Sequence, residues 1–155
     1  MRIPEDLRAG DILLYSPSDL VGLLIAIKTG GWFSHVECCI GGDQVIAARL
    51  QGVNAYATRL DSHLCAVRRP LVSFDAAGAG RAVAPLMGKS YEVEGFCDFF
   101  LPLAHSRQVH RICSVVATAW LRGGGVQPFN PLFDCDHVSP VDLWETPALN
   151  TVWRK

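Results

Sequence analysis

The segment Cys113-Ser114-Val115-Val116-Ala117-Thr118-Ala119-Trp120-Leu121, ended by the glycine run 123–125, constrains this chain most. Val116, Ala117, Trp120 and Leu121 recur at helical spacing, which predicts a helix with an apolar stripe buried against another layer. Cys113 stands at the amino end of that helix, where backbone N–H groups lack intrahelical partners and the dipole is positive. A thiol held there loses its proton more readily and becomes a nucleophile. A cysteine on an apolar helix is more often packing than chemistry, so a base has to be found elsewhere. Phe33-Ser34-His35-Val36-Glu37 offers one, and the expectation is that His35 and Cys113 meet in the fold as base and nucleophile.

Before that helix the chain reads mainly as short strands. Ile12–Tyr15 is a strand closed by Ser16-Pro17-Ser18, and residues 19–28 form a helix stopped by Gly30-Gly31. The run Leu20–Ile27 is the most apolar in the chain; at eight residues it is too short to span a bilayer and reads as a buried helix. A strand from Phe33 to Ile40 turns through Gly41-Gly42-Asp43 into a strand over Gln44–Ala48. Gln51-Gly52-Val53-Asn54 reads as a turn or irregular edge, and Leu64–Arg69 as a strand ended by Pro70. Asp75 to Met87 is alanine-rich and helical, capped by Asp75, although Gly78, Gly80 and Pro85 weaken the pattern. Gly88–Tyr91 is a loop, and Glu92–Leu103 is helical or irregular. Near the end Ser139 caps a short helix starting at Pro140, and Thr151–Trp153 forms an edge strand. No repeat, linker or shift in composition marks a second domain, so residues 1–155 are read as one domain.

Period two places His35, Glu37 and Cys39 on one strand face and Val36 and Cys38 on the other. A carboxylate inside an apolar strand is costly to bury unpaired, so Glu37 calls for a partner. The rise of ~6.6–6.8 Å between His35 and Glu37 makes a direct bond depend on rotamers. Where it forms, Glu37 orients the imidazole and supports its charged form. Zinc ligation finds little support: the spacing of His105, His110, Cys113 and Cys135-Asp136-His137 matches no compact zinc pattern, and no cofactor is expected. The glycine run 123–125 follows a helix and lacks the lysine of a phosphate-binding loop. A net charge of −1 argues against broad nucleic-acid binding. Six cysteines without a secretory pattern in Met1–Asp6 read as free thiols in a reducing compartment.

Taken in order, Gly10-Asp11-Ile12-Leu13-Leu14, Phe33-Ser34-His35-Val36-Glu37, Val45-Ile46-Ala47-Ala48, Gly88-Lys89-Ser90-Tyr91, Cys113-Ser114 and Ser139-Pro140-Val141-Asp142-Leu143 resemble the circularly permuted branch of the NlpC/P60 papain-like superfamily. More distantly they resemble lecithin:retinol acyltransferase-like proteins. The resemblance implies an α+β fold, with a small antiparallel sheet packed on the helix that bears the cysteine. It implies a cysteine peptidase or amidase with Cys113 as nucleophile and His35 as general base. The third, polar residue of that family aligns with Ala47 or Ala48, neither of which can orient an imidazole. Either Glu37 has taken that role, or the triad is incomplete. Tyr15 and Gln44 are further polar candidates, and a backbone N–H of Cys113 or Ser114 is the candidate oxyanion donor. Peptidoglycan stem-peptide amides come first among implied substrates, and lipid or other acyl groups second. A binding or structural protein that keeps the fold without activity is the alternative of a different class. The expected setting is cytoplasmic or phage-encoded, with no nucleic-acid partner and no stable membrane insertion.

Overall fold

The computed structural model of the chain describes residues 6–49, 51–89, 113–132 and 138–155. The segment Glu92–Leu103, the loop residues Ser90 and Tyr91, and the residues Cys97, His105, His110, Cys135 and His137 lie outside the described residues. The described elements run β1 (Ile12–Tyr15), α1 (Leu20–Thr29), β2 (His35–Gly41), β3 (Gln44–Arg49), β4 (Gly52–Ala57), β5 (Leu64–Pro70), α2 (Ala76–Val83), α3 (Cys113–Gly123), α4 (Pro140–Glu145) and β6 (Leu149–Arg154). A 3-10 turn, Ala84–Leu86, extends α2. The strands form one six-stranded sheet in the order β4-β3-β2-β1-β5-β6, and every neighbouring pair is antiparallel. The architecture is α+β, as expected.

Helix boundaries follow from local chemistry. Asp19 is extended and its carboxylate accepts from the Gly22 N–H at 2.7 Å, which starts α1. Gly30 ends it at φ 68, a left-handed conformation that glycine adopts without a Cβ penalty. Asp75 caps α2, and Ser139 with Asp142 forms a reciprocal capping box on α4, with Pro140 in its first turn. Gly78 weakens α2 as a helix former but is required by packing. A Cβ on Gly78 would sit 2.4 Å from the Gly123 carbonyl oxygen, so α2 and α3 touch through backbone.

One sheet face carries the larger core. Ile12, Leu14, Val36, Cys38, Ile46 and Ala66 meet Val116, Ala117, Trp120 and Leu121 of α3, flanked by Ala79 and Val83 of α2. The opposite face has a smaller cluster of Leu13, Tyr15, Cys39, Val45, Leu64 and Val67, with Trp153 against it. Two buried guanidinium contacts fasten the sheet. Arg69 forks onto Asp11 at 2.7 Å on each carboxylate oxygen, which gives the Gly10-Asp11 opening a structural role. Arg68 donates to the carbonyls of Trp144, Thr146 and Leu149, binding the end of α4 and the start of β6 to β5.

Two expectations are corrected. Gln51–Asn54 is not merely a turn: from Gly52 onward the chain is β4, paired with β3 from Arg49↔Gly52 to Gln44↔Ala57. Cross-strand pairing overrides the weak strand preference of Gly and Asn. The apolar run at Leu20–Ile27 is a helix but not a buried one, because Leu20, Leu23, Leu24 and Ile27 are exposed. Its inner side packs through residues such as Ile25 and Ala26, and no described residue covers its outer side.

Candidate active site

The antiparallel connections bring several strand ends together. β1 leaves at Tyr15, α1 crosses, and β2 returns at His35, which is the register partner of Tyr15. β3 runs back to the same end and finishes at Arg49, while β5 starts there at Leu64. α3 begins at this end with Cys113. Between them lies a pocket of about 280 Å³ lined by residues that include Tyr15, Asp19, Gly22, His35, Arg49, Arg59, His63 and Cys113. His35 and Cys113, 78 positions apart in the chain, both line it, close enough for the cysteine to act on the imidazole.

Glu37 lies one pleat behind His35 on the same face and is fully buried. Its Oε1 is 3.3 Å from His35 Nε2, which leaves Nδ1 as the ring nitrogen free for the thiol. Arg49 donates to that same Oε1 from Nε at 3.1 Å and from Nη2 at 2.7 Å. The Tyr15 hydroxyl is 2.9 Å from Oε2, and the Arg59 guanidinium is 3.8 Å from Oε1. The carboxylate is thus compensated on both oxygens, which a buried charge requires.

Electrostatics follow from these contacts. Burial alone would push the His35 imidazole down. The charge of Cys113 and hydrogen bonds to Cys113 and Glu37 outweigh it and lift the imidazole from 6.5 to about 9. Burial would raise the Glu37 carboxyl, but its bonds to His35 and Arg49 hold it below the ordinary range. Burial and the Glu37 charge push the Tyr15 phenol upward, so it remains a donor. Cys38, on the core face beside this pair, is buried and its thiol is pushed well up.

Cys113, His35, Glu37 and Tyr15 are therefore brought together. The side chains of the other two candidates point elsewhere. Ser114 is buried and its hydroxyl donates to the Val138 carbonyl, tying α3 to the chain before α4. Gln44 is exposed at the first position of β3, about 17 Å along the strand from the Arg49 end. The strand direction carries Gln44 to the far end of the sheet, so it does not support the imidazole. Arg49 and Arg59 were absent from the expected site. A signal for Arg49 existed: Glu37 demanded a countercharge, and period two puts Val45, Ala47 and Arg49 on one face of β3. Ala47 thus stands one pleat before an arginine that holds the carboxylate.

Among the described residues no group of three or more His, Cys, Asp or Glu side chains is arranged to hold a metal ion. The described cysteines Cys38, Cys39, Cys65 and Cys113 are all free. No described helix is long and apolar enough to cross a membrane. No protein-family model matches the chain, and no curated protein is significantly similar to it.

Proposed function

We propose that this protein is a cysteine-dependent hydrolase of amide bonds that works through a thioester, in a permuted papain-like arrangement. The observation that supports the reading is the convergence of Cys113 and His35 on one pocket, with the imidazole 3.3 Å from the buried Glu37 carboxylate. The imidazole takes the thiol proton, and the thiolate attacks a carbonyl carbon. As the tetrahedral intermediate collapses, His35 protonates the leaving amine, and water then attacks the thioester with His35 as base. Glu37 holds the ring through Nε2, which leaves Nδ1 for the proton exchange with sulfur, a positioning role filled elsewhere by a third polar residue. The backbone N–H groups of Cys113 and Ser114, at the start of α3, are the candidate oxyanion donors.

Peptidoglycan stem-peptide amides are the first substrate class on the strength of the resemblance. A lipid or other acyl ester is the second reading, favoured by the exposed apolar side of α1, whose inner residues Gly22 and Ile25 line the same pocket. Mass spectrometry of muropeptides and acyl lipids incubated with the protein and with Cys113→Ala separates the two. The expected result is a hydrolysed amide and a transient adduct on Cys113, both absent in the variant. An unmodified Cys113 that reacts with iodoacetamide at pH 6 no faster than a small thiol rejects the nucleophile assignment and leaves a fold without activity.

A further inference from the structure

Five large apolar side chains are exposed on one short stretch. Leu20 is 70%, Leu23 47%, Leu24 38% and Ile27 68% exposed, and Trp32 after the helix is 84% exposed. Positions 20, 23, 24 and 27 follow the spacing of a single helix face. The inner face, with Gly22, Ile25 and Ala26, is apolar as well. A helix apolar on both sides has non-aqueous surroundings on both sides, and the described residues supply only the inner one. A contiguous patch of this kind marks an interaction surface.

The surroundings of the patch discriminate among occupants. A groove of about 880 Å³ runs beside it, bounded by Leu23, Ile27, Trp32 and Trp144 and edged by Arg154 and Lys155. Lys28 is exposed in the last turn of α1. Glu145 is the acidic residue lining the groove, and the Asp19 carboxylate is engaged at the helix cap on the pocket side. Aliphatic side chains on a convex helix, a tryptophan at their border and a cationic rim match the layered chemistry of an anionic bilayer surface.

We propose that the outer face of α1, with Trp32, docks this protein onto an anionic lipid surface. The apolar side chains enter the boundary between headgroups and acyl chains, and the cationic rim faces the phosphates, Arg154 from over the Trp144 ring and Lys155 while its ammonium also donates to the Ser62 carbonyl. Because α1 also walls the Cys113 pocket, docking brings the pocket mouth within about one helix diameter, ~10–12 Å, of the lipid. Docking does not depend on the chemistry of Cys113.

Co-sedimentation of the full chain with phosphatidylcholine vesicles, alone or with about a quarter phosphatidylglycerol, tests it. Partitioning onto the anionic vesicles is expected to be about tenfold stronger or more. The double variant Ile27→Glu, Trp32→Glu should lose at least about tenfold of that binding with an unchanged circular dichroism spectrum, since both side chains are exposed. Lys28→Gln with Lys155→Gln should narrow the gap between the two vesicle types. Cys113→Ala should bind as the unaltered protein does, which separates this test from that of the hydrolase. No binding to either vesicle, or binding indifferent to the double variant, overturns the proposal. Self-association in ultracentrifugation that the double variant abolishes also overturns it, and gives the face to a second copy of the chain.

Discussion

The two most apolar helices differ in what surrounds them. α3 is buried along nearly its whole length, from Cys113 to Leu121, between the sheet and α2. α1 is richer in aliphatic residues, yet turns four of them to solvent. α3 crosses the sheet and finds partners on two sides, whereas α1 lies at the end of the sheet where only one side is met. Aliphatic content therefore fails to rank the helices by burial; their position relative to the sheet does. The same placement separates their tasks. α3 delivers a thiol held rigidly by its core contacts, and α1 supplies a wall of the pocket and an uncovered outer face.

The largest expected effect that probes this contrast is Cys113→Ala at the amino end of α3. Activity on a cleaved amide substrate should fall by about 10⁴–10⁶-fold with the fold retained, read by steady-state kinetics and circular dichroism. Glu37→Gln should reduce kcat by about 10²–10⁴-fold, because the ring loses its orienting charge. This variant also carries a pH signature. His35 is raised from 6.5 to about 9 in the fold, so its contribution to stability is fully present below pH 6.5 and is lost as pH rises through about 9. In Glu37→Gln that alkaline loss should begin at lower pH in thermal melts across the range. The Glu37 carboxyl is depressed in the fold, so its own contribution is present above the ordinary carboxylate range and vanishes only on acidification. An unmoved alkaline limb would remove Glu37 from the support of the imidazole.

Stability should separate the helices next. Leu121→Ala in α3 is expected to cost about 2–5 kcal/mol in urea unfolding, as a cavity in a filled core. Leu20→Ala on the outer face of α1 should stay within about 0.5 kcal/mol. Equal costs would mean that the outer face is covered in solution. An intermediate effect belongs to the start of α1, between those of Leu121→Ala and Leu20→Ala. Asp19→Ala leaves the Gly22 N–H without its acceptor and should cost about 0.5–2 kcal/mol.

Much of this is readable in the residues. Helical spacing after Cys113, the Asp75 and Ser139 caps, the Gly41-Gly42 turn and the alternation through His35 and Glu37 are local signals, and local chemistry sets those elements. The burial of Glu37 is legible as a demand for a partner. What the residues alone do not disclose depends on the third dimension. Arg49 folds back onto Glu37 only because β3 ends where β2 begins. Gln44 is a reasonable polar candidate until strand direction carries it to the opposite end. Gly78 weakens the reading of α2 as a helix, because a backbone contact with Gly123 leaves no trace in propensity. The apolar run of α1 reads as buried because a tally of aliphatic residues does not say which sides of a helix have neighbours.

The Arg68 contact bears on the order in which the chain emerges during synthesis. Arg68 sits in β5, beside the central strand, yet all three of its carbonyl partners lie between Trp144 and Leu149. While the ribosome is still adding those residues, the guanidinium has none of them, and burying it unpaired is unfavourable. Seating the Arg68 guanidinium therefore waits for residues 144–149, some 76 or more positions later, so this side of the sheet is completed by a late segment and not by its neighbours in sequence.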